Sequence, residues 1–272
     1  MDSIKLSVVI INFEAKSLLE RCIKSVFASR VRPSFEVLVV DNNSKDGSVE
    51  LVAERFPQVH LVKNNQNVGF ARAVNTAFMQ CKGSHVLLLN PDIEVSLGAI
   101  NSLLDYMESS LDVALAAPKL INPDGSIQYS CRTYYNAQIA VMRRTILGKL
   151  LPNHRIIRNH LMMDWDHADT REVDWVLGGA MMLRRDAIPK GNVMDERFFL
   201  YFEDVDLCLR LQKAGWKVMY YPDAVMVHHH QRASAKKIWN RAKFEHLKSW
   251  IKFSWKHRHE PLLKPSRNKS GT

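Results

Sequence analysis

Phe35-Glu36-Val37-Leu38-Val39-Val40-Asp41-Asn42-Asn43-Ser44 passes from apolar, β-branched residues straight into an acid and a polar cluster. The composition predicts a strand over 35–40 with Asp41 at its end. Upstream, 6–11 (Leu-Ser-Val-Val-Ile-Ile) is nearly continuous in apolar residues, as in a strand buried on both faces. Between the two, 16–29 carries Leu18, Leu19, Cys22, Ile23, Val26 and Phe27 at helical spacing. Downstream the alternation repeats, with a helix over 48–56, a short strand over 59–62 and a helix over 70–81. A strand over 85–89, a helix marked by Ile100, Leu103, Leu104 and Met107, and a strand over 113–117 complete it. Such alternation predicts an α/β fold with a mainly parallel, Rossmann-like central sheet flanked by helices. Ligands of these sheets bind outside the carboxyl ends of the strands. The 41–44 and 64–69 loops and Asn90-Pro91-Asp92 each follow a strand, so three polar loops converge on one edge.

After 121 the pattern weakens. Asn122-Pro123-Asp124-Gly125 predicts a tight turn between short strands. The segment 143–169, rich in Arg, His and Met, reads as an irregular or partly helical insertion. Order returns over 173–184. A helix over 205–214, stopped by Gly215, precedes strands over 217–221 and 224–228.

Composition narrows the function. A chain of 272 residues at 46% hydrophobic content can bury a substantial core. The apolar run 86–89 is far below the ~20 residues of a membrane span, and the first residues show no signal-peptide pattern. Cys22, Cys81, Cys131 and Cys208 lie far apart with no CxxC pair. That argues against a zinc ribbon or disulfide scaffold and fits a reducing compartment. Of the net charge of +10, much sits beyond Arg232, so it belongs largely to a tail. With no recognised nucleic-acid motif present, nucleic acid is not an expected partner.

Each polar cluster admits a structural and a chemical role. Asp41 caps a turn or recognises a ring N–H or ribose hydroxyl. In Asn67-Val68-Gly69-Phe70-Ala71-Arg72-Ala73-Val74-Asn75 a glycine turn leads into a helix whose N-terminus suits an anion, with Arg72 in the first turn. Asp92 is a turn acid or one carboxylate on a hard cation, whose remaining positions diphosphate and water fill. Glu203-Asp204-Val205-Asp206 opens a helix, so its acids satisfy the dipole, or Asp204 serves as a general base. His228-His229-His230 ends a strand, with His228 and His230 on one face, where a neutral imidazole can complete a metal shell.

Taken in order, these segments resemble the inverting glycosyltransferases of family 2, of the GT-A fold, and within them the rhamnosyltransferase-like branch. The segments are 7–13, 39–44, 67–75, Leu88-Leu89-Asn90-Pro91-Asp92, Trp175-Val176-Leu177-Gly178-Gly179-Ala180, Phe202-Glu203-Asp204-Val205-Asp206-Leu207 and Val227-His228. They span roughly 5–234. The resemblance implies a catalytic domain over 1–234, with a nucleotide-binding half (1–118) and an acceptor-binding half (119–234). Asp41 would read the base, with Asn12, Glu14, Asn43, Arg72 and Asn90 around the nucleotide. Asp92 and His228 would hold Mg2+ or Mn2+ against the donor diphosphate. Asp204 would be the catalytic base and Glu203 would position the acceptor. Trp175, Gly178 and Gly179 would shape the sugar and acceptor pocket. Asn90 stands where the family's metal motif usually has its first acid, with Glu94 a remote substitute.

The expected partners are a nucleotide-sugar donor, with dTDP-rhamnose first and UDP- or GDP-sugars as alternatives, and a saccharide or lipid-linked saccharide acceptor. The expected location is cytoplasmic, peripheral at the inner face of the plasma membrane. Residues 235–272 read as a basic aromatic helix and a tail, with Lys and Arg interleaved with aromatics from Lys236 to Arg258. A helix there would gather Trp239, Leu247, Trp250 and Trp255 on an apolar side, for an anionic membrane surface or for packing on the catalytic domain. Residues from 261 onward read as disordered. The rivals are a nucleotidyltransferase, a nucleic-acid-binding module and a catalytically dead protein of the same fold. The position after the first strand holds Asn12-Phe13-Glu14 and no glycine-rich basic signature, which disfavours the first of these.

Overall fold

The computed structural model describes residues 4–135, 138–139, 142, 150–151, 153–188, 192–229 and 235–258, the last with side chains from 244. Strands β1 (Leu6–Asn12), β2 (Phe35–Asp41), β3 (His60–Lys63) and β4 (His85–Leu89) lie in the order β3-β2-β1-β4, all parallel. Helices α1 (Lys16–Ala28), α2 (Ser48–Arg55) and α3 (Phe70–Gln80) connect them. The sheet continues through β10 (Ala180–Arg184), β6 (Val113–Ile121), β11 (Lys217–His228) and β5 (Ile93–Val95), with β8 (Arg171–Glu172) also on β11. Only β5, β8 and β10 run against the others, so the sheet is mainly parallel. β7 (Cys131–Arg132) and β9 (Trp175–Val176) form a separate two-stranded ladder.

Alternation within the buried strands builds two apolar layers. Val9, Ile11, Leu38, Val40, Val86 and Leu88 face α3 and α6 (Glu203–Lys213). Val8, Ile10, Val37, Val39, Leu87 and Leu89 face α1, α2 and α4 (Ala99–Ser109). All four cysteines are buried and free within these layers. Among the described residues no helix is long and apolar enough to cross a membrane.

Several expectations shift. The strands over 217–221 and 224–228 are one strand, β11, with a register shift between Tyr221 and Val225. Pro118 of β6 and Pro222 of β11 fall at that shift, where neither has an N–H to give the ladder. β6 extends to Ile121 because β11 pairs with it as far as Val227 opposite Ile121, while β10 covers only Leu115 and Ala116 on the other edge. The Asn122-Gly125 turn forms, closed by Asn122 N–H to Ser126 O at 2.8 Å and the Ile121–Ile127 bridge. In the insertion, Arg155–His160 is a short helix, α5, while 143–149 lie outside the described residues.

The tail forms α7 (Ala235–Lys256), which docks on α6. Its Phe253 joins the core, Ser249 Oγ donates to Leu200 O at 2.8 Å, and Lys256 Nζ and His257 Nε2 reach Asp206 Oδ1 at 2.5 and 2.9 Å. Burial opposes ionisation of Asp206, but these partners and Arg210 outweigh it and hold the carboxyl below its ordinary range. The apolar side expected from sequence is therefore divided. Trp250 packs toward the core with Phe253, Leu247 and Trp255 point to solvent, and the side chain of Trp239 lies outside the described residues. His230 and the segment from 261 also lie outside them.

Candidate active site

Parallel pairing puts Asn12 opposite Asp41 at the ends of β1 and β2. The buried Asp41 accepts from Asn12 Nδ2 at 2.8 Å and from Ser44 N–H at 2.8 Å. Ser44 Oγ in turn accepts from Glu14 N–H at 3.0 Å, and Glu14 Oε1 accepts from Lys45 N–H at 2.8 Å. Glu14 and Asn43 both have positive φ, so the two strand-end loops fold back on each other. Asn43 Oδ1 accepts from Lys45 Nζ at 2.7 Å. Asn12, Glu14, Asp41 and Asn43 thus form one hydrogen-bonded cluster, with the buried Asn12 Oδ1 left unpaired.

Arg72 is not in that cluster. Its Nε donates to Glu196 Oε2 at 3.0 Å on the outer side of α3, and Asn75 also reaches Glu196 and Met194. The α3 N-terminus differs from an open anion site too. Phe70 N–H donates to Phe199 O at 2.9 Å, and Gly69 N–H to Asn67 Oδ1 at 3.0 Å. Gly69 has φ +86°, and a Cβ there would meet Phe199 O at 2.6 Å. Gly69→Ala is expected to cost roughly 3 kcal/mol from the left-handed backbone plus displacement of the 194–199 strap. A denaturant melt checks this, and an unchanged midpoint would refute it.

The second cluster forms where β4 ends and β11 ends. Asn90 N–H donates to Gly179 O at 2.8 Å, and Asp92 O accepts from His229 N–H at 2.8 Å. Asp92 Oδ2 lies 3.2 Å from His228 Nε2, while Asp92 Oδ1 is buried with no partner. Gln128 Oε1 lies 2.6 Å from His228 Nδ1, and its Nε2 reaches Asn122 Oδ1 at 3.4 Å. That amide orientation favours a proton on Nδ1, which turns the Nε2 lone pair toward the Asp92 carboxylate. A hard divalent cation fits these atoms, with substrate oxygens completing its shell, because no third acid or histidine joins them among the described residues. Glu94 is not a substitute: its Oε2 takes His229 Nε2 at 2.8 Å on the other face, beside Arg21.

The third cluster opens α6. Tyr201 and Phe202 both adopt left-handed φ, 66° and 70°, immediately before Glu203 and Asp204. For aromatic residues that turn is strained, and packing of Phe202 against Tyr135 and Phe253 holds it. Asp204 accepts from Val205 N–H at 2.8 Å and Gly178 N–H at 3.1 Å. Burial nevertheless raises its carboxyl to about 6, against the lowering effect of those donors and of Arg132. Glu203, buried with Oε2 unpaired, is pushed well above the usual carboxylate range by desolvation and by the Asp204 charge. One partner is therefore poised to take a proton while the other favours holding one.

Gly178 and Gly179 join the second and third clusters. Antiparallel β10 starts at the edge where β4 ends, with Ala180 opposite Leu89. A Cβ on Gly178 would lie 3.7 Å from Asp204 Oδ2, and one on Gly179 3.5 Å from His228 Cε1. Trp175 stands behind them. It is buried, its indole N–H donates to Thr133 O at 2.9 Å, and its ring lies against Tyr135 and His160. Packed on these sides, it offers no open face. Gln128 and Arg132 were not foreseen. Both fall between 119 and 135, where no periodicity flags them, and only the Gln128–His228 hydrogen bond and the charge that Arg132 exerts on Asp204 give them a role.

Comparison with known proteins agrees with this architecture. The family model for Glycosyl transferase family 2 matches residues 7–175, and one for Glycosyl transferase family group 2 matches 131–256. The chain is 29% identical over 263 residues to the N-acetylglucosaminyl-diphospho-decaprenol L-rhamnosyltransferase of Mycobacterium tuberculosis, covering 93% of this chain and 85% of the relative. It is 28% identical over 192 residues to the rhamnosyltransferase WbbL of Escherichia coli, covering 70% and 68%. Among solved structures it superposes on a mannosyltransferase of Pyrobaculum calidifontis in complex with GDP-Man and Mn2+, with TM-score 0.61 and 18% identity. That match covers 93% of this chain and 65% of that one. It also superposes on GalNAc-T7 with UDP, GalNAc and Mn2+, with TM-score 0.60 and 16% identity over 84% of this chain and 44% of that one. The chain belongs to glycosyl transferase family 2.

Proposed function

We propose that this glycosyltransferase moves rhamnose, with inversion, from dTDP-rhamnose to a hydroxyl of a lipid-linked saccharide at the cytoplasmic face of a membrane. The observation that carries the reading is the Gly178–Gly179 bridge, which sets a buried acid of raised pKa beside the Asp92–His228 pair. Asp204 accepts the proton of the acceptor hydroxyl. The acceptor oxygen then bonds the anomeric carbon as the bond to the diphosphate breaks on the opposite face, releasing the nucleoside diphosphate. Glu203 holds a hydrogen bond to the acceptor. The Asn12–Asp41 cluster binds the base in the 1–118 half, and the acceptor lies against 119–234. Asp92 and His228 would hold Mg2+ or Mn2+, which supplies Lewis-acid stabilisation of the leaving diphosphate. Rhamnose and the lipid-linked acceptor rest on the names of the two relatives above; the GDP-Man and UDP of the structural neighbours keep other donors in the test.

The experiment is a donor screen with purified protein and Mn2+ or Mg2+, following nucleoside diphosphate release from dTDP-, UDP- and GDP-sugars, with binding of dTDP and UDP in parallel. Turnover of dTDP-rhamnose alone establishes the donor, whereas failure of every nucleotide to bind with metal present would sink the reading. Asp41→Asn is expected to weaken dTDP binding about 10–100-fold, the size of one charge-assisted hydrogen bond. Equal affinity by calorimetry would remove Asp41 from the base site.

A further inference from the structure

Helix α7 has two apolar faces, and the fold uses one. Phe253 and Trp250 pack inward with Ser249 and His257. Phe244, Leu247, Ile251 and Trp255 point outward, 57%, 44%, 54% and 63% exposed. At 3.6 residues per turn these four fall within an arc of about 80°. Cations overlie the stripe. Lys248 Nζ sits 4.3 Å from the Phe244 ring centre and Arg258 Cζ 4.2 Å from that of Trp255. Over 235–258 the chain has eight Lys and Arg against one acid, Glu245.

We propose that this outward stripe of α7 docks on an anionic lipid surface. Aromatic and aliphatic side chains under basic groups match the headgroup boundary, where apolar groups enter and cations meet lipid phosphates. Charge decides against a second copy of this chain. Two such stripes would bring like charge together on a molecule already at +10, whereas anionic lipid is complementary. The opposite face of the same helix holds Leu200 O and Asp206, on either side of Asp204. Docking α7 therefore sets the catalytic carboxylate about one helix diameter, roughly 10 Å, from the lipid surface. The inference deepens the reading of a lipid-linked acceptor and rests on it only for that consequence.

The test is co-sedimentation of the full chain with vesicles of phosphatidylcholine, with and without phosphatidylglycerol, in the absence of donor and acceptor. Wild type is expected to bind the anionic vesicles at least about tenfold more tightly than the neutral ones, and less tightly in high salt. The double change Ile251→Ser with Trp255→Ser should lower anionic-vesicle binding by about tenfold or more, by removing buried apolar area. Lys248→Glu with Arg258→Glu should lower it comparably on anionic vesicles alone. All four positions lie outside the core, so melting temperature and nucleoside diphosphate binding should be unchanged, separating lost docking from lost fold. Absence of wild-type binding to anionic vesicles, both double variants binding like wild type, or self-association through the stripe without vesicle binding would each overturn the proposal. Because no substrate is present, any of those results leaves the transferase reading standing, and a failed donor screen leaves this one standing.

Discussion

Asp204→Asn is expected to lower turnover by about 10²–10⁴-fold, the usual contribution of a positioned general base. The amide has the shape of the carboxylate, and its one oxygen can still accept from either Gly178 N–H or Val205 N–H, which reach different oxygens of Asp204. What it loses is the capacity to take the acceptor's proton, so kcat should fall while nucleoside diphosphate binding stays within about twofold. Equal turnover in wild type and variant would move the base elsewhere.

The same carboxyl fixes a pH dependence whose sign follows from its environment. Burial raises Asp204 from 3.8 to about 6. The active, ionised form is then lost as pH falls through about 6, so turnover should drop on the acid side about two pH units earlier than for an ordinary aspartate. Glu203 holds its proton over this range and puts no charge against Asp204, so Glu203→Gln should leave the limb near pH 6. For stability the direction reverses. A carboxyl raised by folding favours the native state below its unfolded value, and that contribution is lost as pH rises through about 6. At pH 7 the wild type therefore bears an ionised, desolvated group; Asp204→Asn removes that cost but strands one backbone N–H, about 1–3 kcal/mol, so its melting temperature should stay within about 4 °C of wild type as its activity falls.

Much of this arrangement could be read from the chain because local rules set it. A buried parallel strand is a near-continuous apolar run, so the polar residue that closes the run marks its end, and Asn12, Asp41 and Asn90 are legible that way. What escaped was set by contacts between distant segments. Arg72 looked available beside its glycine turn, yet Glu196, 124 residues away, takes its guanidinium. Gln128 reaches His228 across 100 residues from a segment without periodicity. β5 has three residues, too few for alternation to register. In α7 the apolar residues go almost all the way round, so spacing alone could not tell the Phe253 face from the Trp255 face.

Asp92→Asn is expected to reduce turnover by about 10²–10³-fold, comparable to losing several kcal/mol of charge stabilisation at the leaving diphosphate. The cause is visible in the pair itself. Asp92 Oδ1 is buried with no partner, and Oδ2 faces His228 Nε2, whose other nitrogen is engaged by Gln128. A carboxylate in that position raises the affinity of the site for a divalent cation, and a neutral amide does not. Binding gives a readout independent of turnover. With Mn2+ and dTDP at about 100 times their Kd the wild type should gain about 2.7 kcal/mol of stability, visible as a rise in melting temperature. The Asp92→Asn protein should show only the part that dTDP contributes without metal. Gln128→Ala, which leaves both groups in place but frees the imidazole to rotate, should weaken Mn2+-dependent binding about 10–100-fold. If dTDP raised the melting temperature equally with and without Mn2+ in the wild type, Asp92 would be a turn acid and the charge of the leaving group would have to be met by other cations. Arg132, whose charge already acts on Asp204, is the first of these to replace.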